Sequence, residues 1–242
     1  MPSLIRYGCV CLITLIGSSL QAAPIIIDAF DTTVHFASVG FGGPNPVVAT
    51  HGTFTAAGES IGLARNITVN RATGDGNDSV NVGGGNFNLN LSAADTGTGV
   101  IIWDGGTNST VDHGFSIDLT DGGTNTQIQT TVRSDLIAPV IITIFSGAGN
   151  WSTFTFNSPG LGFAAPFTLL TIPFTSFGVV GGTGANFTNV TSITILVDGT
   201  AVAGLDFQMN FLEANGVPEP GTFALMGLAL TGFGLIRIRR RA

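Results

Sequence analysis

A thirteen-residue stretch, Gly74-Asp75-Gly76-Asn77-Asp78-Ser79-Val80-Asn81-Val82-Gly83-Gly84-Gly85-Asn86, concentrates hard oxygen donors. Carboxylate, amide and carbonyl oxygens in a flexible loop suit a hard cation such as Ca²⁺, which makes Asp75, Asn77 and Asp78 the candidate metal ligands. The same residues also make an ordinary hairpin loop, because glycine supplies positive φ at little cost. A second cation site would form if the first and last strands were neighbours and brought Asp28 or Asp31 to Asp206; otherwise these are solvated acids at a sheet edge. Nothing else in the chain asks for a cofactor.

The second chemistry on offer is recognition of hydroxyls. Asn66, Asn70, Asn86, Asn88, Asn90, Gln127 and Gln129 recur at alternate positions, and each amide can both donate and accept. Asn66, Asn86, Asn88 and Trp103 are therefore the candidate ligand face. An amide face is also simply a soluble coat for a sheet, and aromatic platforms are few. Trp103 and Trp151 are the only tryptophans, the single tyrosine is Tyr7, and the body's sixteen phenylalanines read as core.

For catalysis the inventory is thin, with three histidines and no lysine in the whole chain. Asp112, His113 and Ser116 sit close in sequence, but neighbours on a strand point to opposite faces and no Gly-x-Ser-x-Gly elbow is present. We expect no catalytic residues and no enzyme; a polysaccharide-acting hydrolase, the weaker alternative, would depend on His113. Threonine pairs at 53/55, 124/126 and 153/155 resemble ice-binding surfaces, yet their spacing is irregular where a solenoid needs a constant period.

Positioning such groups falls to strands. Period-two alternation recurs at Asn66–Asn70, Asn86–Leu91, Phe115–Leu119, Gln127–Arg133 and Leu205–Phe211, each with one apolar and one polar face. Continuous apolar runs at Val140–Phe145 and Ile193–Val197 predict central strands. Asp28–Asp31 predicts an opening strand, and Trp103-Asp104-Gly105 closes one. Glycine-rich turns at 74–78, 83–85, 104–106 and 121–123 separate them. The prediction is an all-β fold, an antiparallel β-sandwich over residues 23–215.

The two ends differ from this body. Arg6 precedes an apolar stretch from Tyr7 to Leu20 and then Gln21-Ala22, which predicts a secretory signal helix over residues 1–22. Both cysteines, Cys9 and Cys11, fall inside it. At the other end, Val217-Pro218-Glu219-Pro220 precedes an uncharged span at 221–236 and then Arg237, Arg239, Arg240 and Arg241. The span is close to the about 17 residues a membrane helix needs, and the arginines stop it on the cytoplasmic side. Between the ends stand three arginines against fourteen acids, a net −11 that repels phosphate backbones and excludes nucleic acid as a partner.

Proline-flanked Glu219, one hydrophobic span and an arginine cluster, in that order, resemble the PEP-CTERM sorting signal of Gram-negative bacteria. The resemblance implies export, transient anchoring of residues 216–242 in the inner membrane, processing by an exosortase, and a mature form at the cell surface or in an exopolysaccharide matrix. The 74–86 stretch resembles one and a half copies of the Ca²⁺-binding nonapeptide of repeat-in-toxin proteins, in which stacked copies share each ion. Phe115–Leu119, Ile172-Pro173-Phe174 with Phe177, Phe187–Ile193 and Asp206-Phe207 resemble galactose-binding-like jelly rolls of carbohydrate-binding modules. Together these imply a non-enzymatic surface or matrix protein, or alternatively a carbohydrate-binding module whose partner is exopolysaccharide.

Overall fold

Alternating side chains let most of the fourteen strands of the described residues bury one face, in two antiparallel layers, while the edge strands Val47–Phe54 and Gly178–Gly181 stay largely exposed. The computed structural model describes residues 23–42, 47–108 and 110–216, all within one compact unit, Ala22–Val217. The predicted signal segment 1–22, the motif 217–220 and the span 221–236 lie outside the described residues. Among those described, no helix is long and apolar enough to cross a membrane.

The strands are β1 (Ile25–Asp28), β2 (His35–Val39), β3 (Val47–Phe54), β4 (Ala64–Thr73), β5 (Asp78–Gly83), β6 (Asn86–Asn90) and β7 (Thr96–Trp103), followed by β8 (Gln127–Ser134), β9 (Pro139–Phe145), β10 (Trp151–Asn157), β11 (Thr168–Pro173), β12 (Gly178–Gly181), β13 (Ser192–Gly199) and β14 (Asp206–Asn215). The first sheet runs β11-β8-β14-β6-β5-β2, with β1 also on β14; the second runs β12-β10-β9-β13-β7-β4-β3. The result is a jelly-roll-like sandwich, as the alternation predicted. Phe87, Leu89, Val80, Val82, Phe207 and Met209 of the first sheet meet Ile67, Val69, Ile101, Ile142 and Ile195 of the second, all buried. Each such side chain stabilises the fold by roughly 1.5–3 kcal/mol. Gly84 and Gly85, both at positive φ (61° and 80°), make the two-residue turn that sets the β5–β6 register.

Two expected strands differ. β1 ends at Asp28, because Phe30 turns to φ 57° with its N–H on Asp28 Oδ1 at 2.7 Å. Phe115–Leu119 makes only an isolated bridge, Ile117 to Val190, in a segment that otherwise lies across loops.

A charged clasp closes one end of the sandwich. The buried Arg65 guanidinium holds both oxygens of Asp28, at 2.6 and 2.7 Å, and reaches Glu59 at 3.1 Å. Trp103 Nε1 donates to Asp28 at 2.6 Å, and the backbone and hydroxyls of Thr32 and Thr33 donate to Glu59. Burial raises the Glu59 pKa, but the Thr33 and Thr32 hydrogen bonds and the Arg65 charge outweigh it and draw the carboxyl down to about 2. Beside the clasp, His35 on β2 is buried 5.4 Å from the ring of His51 on β3, with neither ring nitrogen hydrogen-bonded.

Candidate functional site

On the outer face of the first sheet, the polar half of each alternation comes into register across five strands. Arg133 of β8 stands opposite Gln208 of β14, which stands opposite Asn88 of β6, which stands opposite Asn81 of β5. The next row holds Thr131, Asn210 and Asn86, and beyond it lie Gln129 and Thr171. With strands about 4.8 Å apart, the four-residue row spans about 14 Å. All four of its side chains are half-buried, the condition of groups fixed in place but reachable.

The row is partly ordered by its own hydrogen bonds. Asn88 Nδ2 donates to Asn81 Oδ1 at 2.7 Å, and Arg133 Nε donates to Gln208 Oε1 at 2.7 Å. The Arg133 guanidinium lies over the rings of Phe163 and Phe167, at 5.0 and 4.4 Å from their centroids, and also donates to Phe163 O at 3.2 Å. An arginine held this way presents its remaining N–H groups in a fixed direction. Further along, Asn215 accepts from Gln127 and donates to Gln129 and Glu213, so that end of the face is spent on locking β14. The face can thus offer alternating donors and acceptors along one line, which is chemistry for hydroxyl-rich ligands.

Of the expected ligand-face residues, Asn86 and Asn88 lie on this face. Asn66 and Trp103 do not. Asn66 is on the second sheet, fully buried beneath the 104–107 turn, with Nδ2 donating to Gly106 O at 2.9 Å. Trp103 is fully buried in the clasp. Alternation had put Asn66 on a polar face and Trp103 stood as one of the few aromatic platforms, but distant chain segments cover both. The residues that sequence reasoning left off the ligand face are Asn81, Gln208, Asn210 and Arg133. The same period-two rule marks the first three, whereas nothing in sequence links Arg133 to phenylalanines thirty residues on.

The oxygen-rich loop does not gather its predicted ligands. Asp75 and Asn77 are exposed and Asp78 is buried. The loop is organised instead by Asp95, which accepts from the N–H of Asp75 and Gly76, while Asp78 accepts from Ser92 N at 2.8 Å. Burial raises the Asp78 pKa, and the neighbouring Asp95 adds to it. Arg71 donates to Gly40 O and Gly76 O and lies 4.0 Å from Asp95, so a buried positive charge already stands beside this loop. Among the described residues no group of three or more His, Asp or Glu gathers as a metal site.

β1 and β14 are neighbours, as the second cation site required, but Asp28 stands opposite Leu212, six residues from Asp206, and belongs to the clasp. Asp31 is exposed, and Asp206 is paired instead with Asp135, whose carboxyl accepts its N–H at 2.8 Å. The Asp112, His113 and Ser116 trio does not converge either. Asp112 bonds Asn108, His113 Nδ1 lies 3.1 Å from Thr191 Oγ1, and Ser116 bonds Asn189.

The outer face ends where β14 ends, at Asn215, and the chain continues at once into the proline-flanked glutamate. Residues 216–241 match the PEP-CTERM protein-sorting motif. The motif implies an exported, membrane-anchored precursor that an exosortase cleaves. No curated protein matches the sequence. Among solved structures, the body is similar to the family 11 carbohydrate-binding module of a cellulosomal cellulase of Clostridium thermocellum, at 14% identity and a TM-score of 0.42, covering 82% of this chain and 97% of that one. It is similar to a family 29 carbohydrate-binding module at 10% identity and a TM-score of 0.34, covering 78% and 97%. It is also similar to an arabinose-bound α-L-arabinofuranosidase at 12% identity and a TM-score of 0.37, covering 82% of this chain but 27% of the enzyme.

Proposed function

We propose that this protein is a non-enzymatic surface or exopolysaccharide-matrix protein, exported by its signal segment and held at the inner membrane by the 221–236 span until an exosortase acts at Val217–Pro220. The observation that carries this reading is the position of the sorting motif. It begins directly after a last strand locked by Gln127, Gln129 and Glu213, so cleavage there leaves every strand of the sandwich intact. Arg237, Arg239, Arg240 and Arg241 act as the membrane stop. Intact-mass analysis of the mature protein tests it: the expected mass ends near Pro220, and a chain still ending in Arg239-Arg240-Arg241-Ala242 would leave only a permanent anchor.

A finer reading gives the body a role in that matrix, as a module that grips polysaccharide along the Arg133–Gln208–Asn88–Asn81 row. The observation favouring it is that these donors and acceptors stand in register and are already oriented by one another and by Phe163 and Phe167. Replacing Gln208 and Asn88 together by alanine removes two hydrogen-bonding groups, and at about 1 kcal/mol each this weakens retention about tenfold or more on the producer's own polysaccharide. Absence of retention by the unaltered mature protein would remove this role without touching the sorting assignment.

A further inference from the structure

Where β14 leaves the sandwich, the structure holds a cleft of about 550 Å³, within the size range of small-ligand sites. It is tied to that end of the fold by Thr126, whose N–H donates to Asn215 O and whose carbonyl accepts from Phe174 N, both at 2.9 Å. It shares no residue with the outer amide row. Phe174 forms its apolar wall, stacked on Phe187 at 4.5 Å with 20° between the planes, and Phe187 is met edge-on by Phe177. The platform is therefore braced from behind.

Around this platform the accessible wall is mainly apolar, and its polar residues include Asp118, Thr120, Thr126, Thr175 and Thr188. Asp118 accepts from the N–H and hydroxyl of Thr120 and from Gly122 N. No basic side chain lines the cleft among the described residues. Also lining the cleft is Asn125. It is 1% exposed, and neither Oδ1 nor Nδ2 has a hydrogen-bond partner. Buried side-chain amides are almost always paired, so this one calls for a partner. The 120–124 turn shields it, closed by Gly123 N and Asn125 N on Thr120 O. Its successive residues Asp121, Gly122 and Gly123 are all at positive φ, and the two glycines leave the turn free to move outward.

We propose that this cleft binds a neutral sugar unit, with the apolar face of the ring on Phe174 and two adjacent hydroxyls on Asn125, one accepting from Nδ2 and the other donating to Oδ1. An amide and a vicinal diol are matched in donor and acceptor count. The threonine hydroxyls serve the remaining edge of the ring. Asp118 repels uronates and other anionic sugars, because a second carboxylate there finds no cation. A peptide unit can also pair with an amide, but it offers the threonine rim few partners, whereas a sugar carries hydroxyls on every edge.

The test is a titration of the mature protein with methyl glucoside, methyl galactoside, methyl mannoside, glucuronate and N-acetylalanine methylamide, followed by NMR. At least one neutral glycoside shifts the Asn125 side-chain amide and Phe174 ring signals, and glucuronate does so more weakly. Asn125→Leu, which removes the unpaired amide without emptying its space, weakens that glycoside at least ~tenfold, the equivalent of two hydrogen bonds. Thr50→Ala, on β3 of the second sheet and outside both the cleft and the outer row, leaves it unchanged. Phe174→Leu serves as the second variant if Asn125→Leu fails to fold, and it weakens binding as well. The proposal is overturned if no glycoside moves these signals, if the available variant binds as tightly as the parent, or if the peptide analogue binds in preference.

Discussion

Acidification should destabilise this sandwich through one residue, His35. It is fully buried, neither ring nitrogen has a partner, and it faces the Arg65 guanidinium, His51 and Glu59. Burial lowers its pKa most, the Arg65 and His51 charges lower it further, Glu59 opposes them, and the result is about 4 against an ordinary 6.5. A depressed histidine pKa means that the fold prefers the neutral ring. The stabilisation is therefore fully present above pH 6.5 and is lost as the pH falls from 6.5 to about 4. At 1.36 kcal/mol per pH unit, the displacement corresponds to a loss of up to about 3 kcal/mol. Glu59 acts in a lower window, between its ordinary 4.5 and about 2, while Asp78 and Asp206, raised by burial, act in the opposite sense. The decisive comparison is urea unfolding of the mature protein and its His35→Leu variant at several values from pH 8 to pH 4. The parent should lose stability relative to the variant as the pH falls through the upper window, so the difference between the two curves shifts in the variant's favour. Parallel curves, or a parent that grows more stable on acidification relative to the variant, would refute the reasoning.

Asp28→Asn removes one of the two carboxylates that neutralise the buried Arg65, leaving Glu59 as its remaining partner, and should destabilise the fold, by less than the about 3–5 kcal/mol of a fully unpaired buried charge; a melting temperature within two degrees or so of the parent would mean that the clasp contributes little. Because Asp75 and Asn77 are exposed while Asp78 is turned inward, adding a chelator should leave the melting temperature unchanged. A rise with Ca²⁺ that Asp75→Asn abolishes would show that the loop closes on an ion, since a ligand bound only by the native state raises stability.

Alternation identified β4, β6, β8 and β14 within a few residues, and glycine-rich stretches marked the turns between them. It failed at Phe115–Leu119, where the pattern is present but the segment's backbone bonds the loop residues Phe187 and Val190 and forms a single bridge at Ile117. For the site, Asn86 and Asn88 were legible because both lie on β6 on the outward side of the alternation, where they stay half-buried. Asn66 and Trp103 were not, because the 104–107 turn covers one and Asp28, 75 residues away, captures the other.

What the sequence determined by itself is what local order can encode. The sorting motif is contiguous in sequence, and the sandwich follows from a period of two. Tertiary structure decided which polar groups are spent holding the fold together and which stay accessible or unpaired. Asp28, Asn66 and Trp103 became internal partners, Arg133 became an outward donor braced by Phe163 and Phe167, and the Asn125 amide was left unpaired beside a cleft. Those outcomes depend on register and on which distant loop crosses which face, and no residue's own neighbours in sequence carry that information.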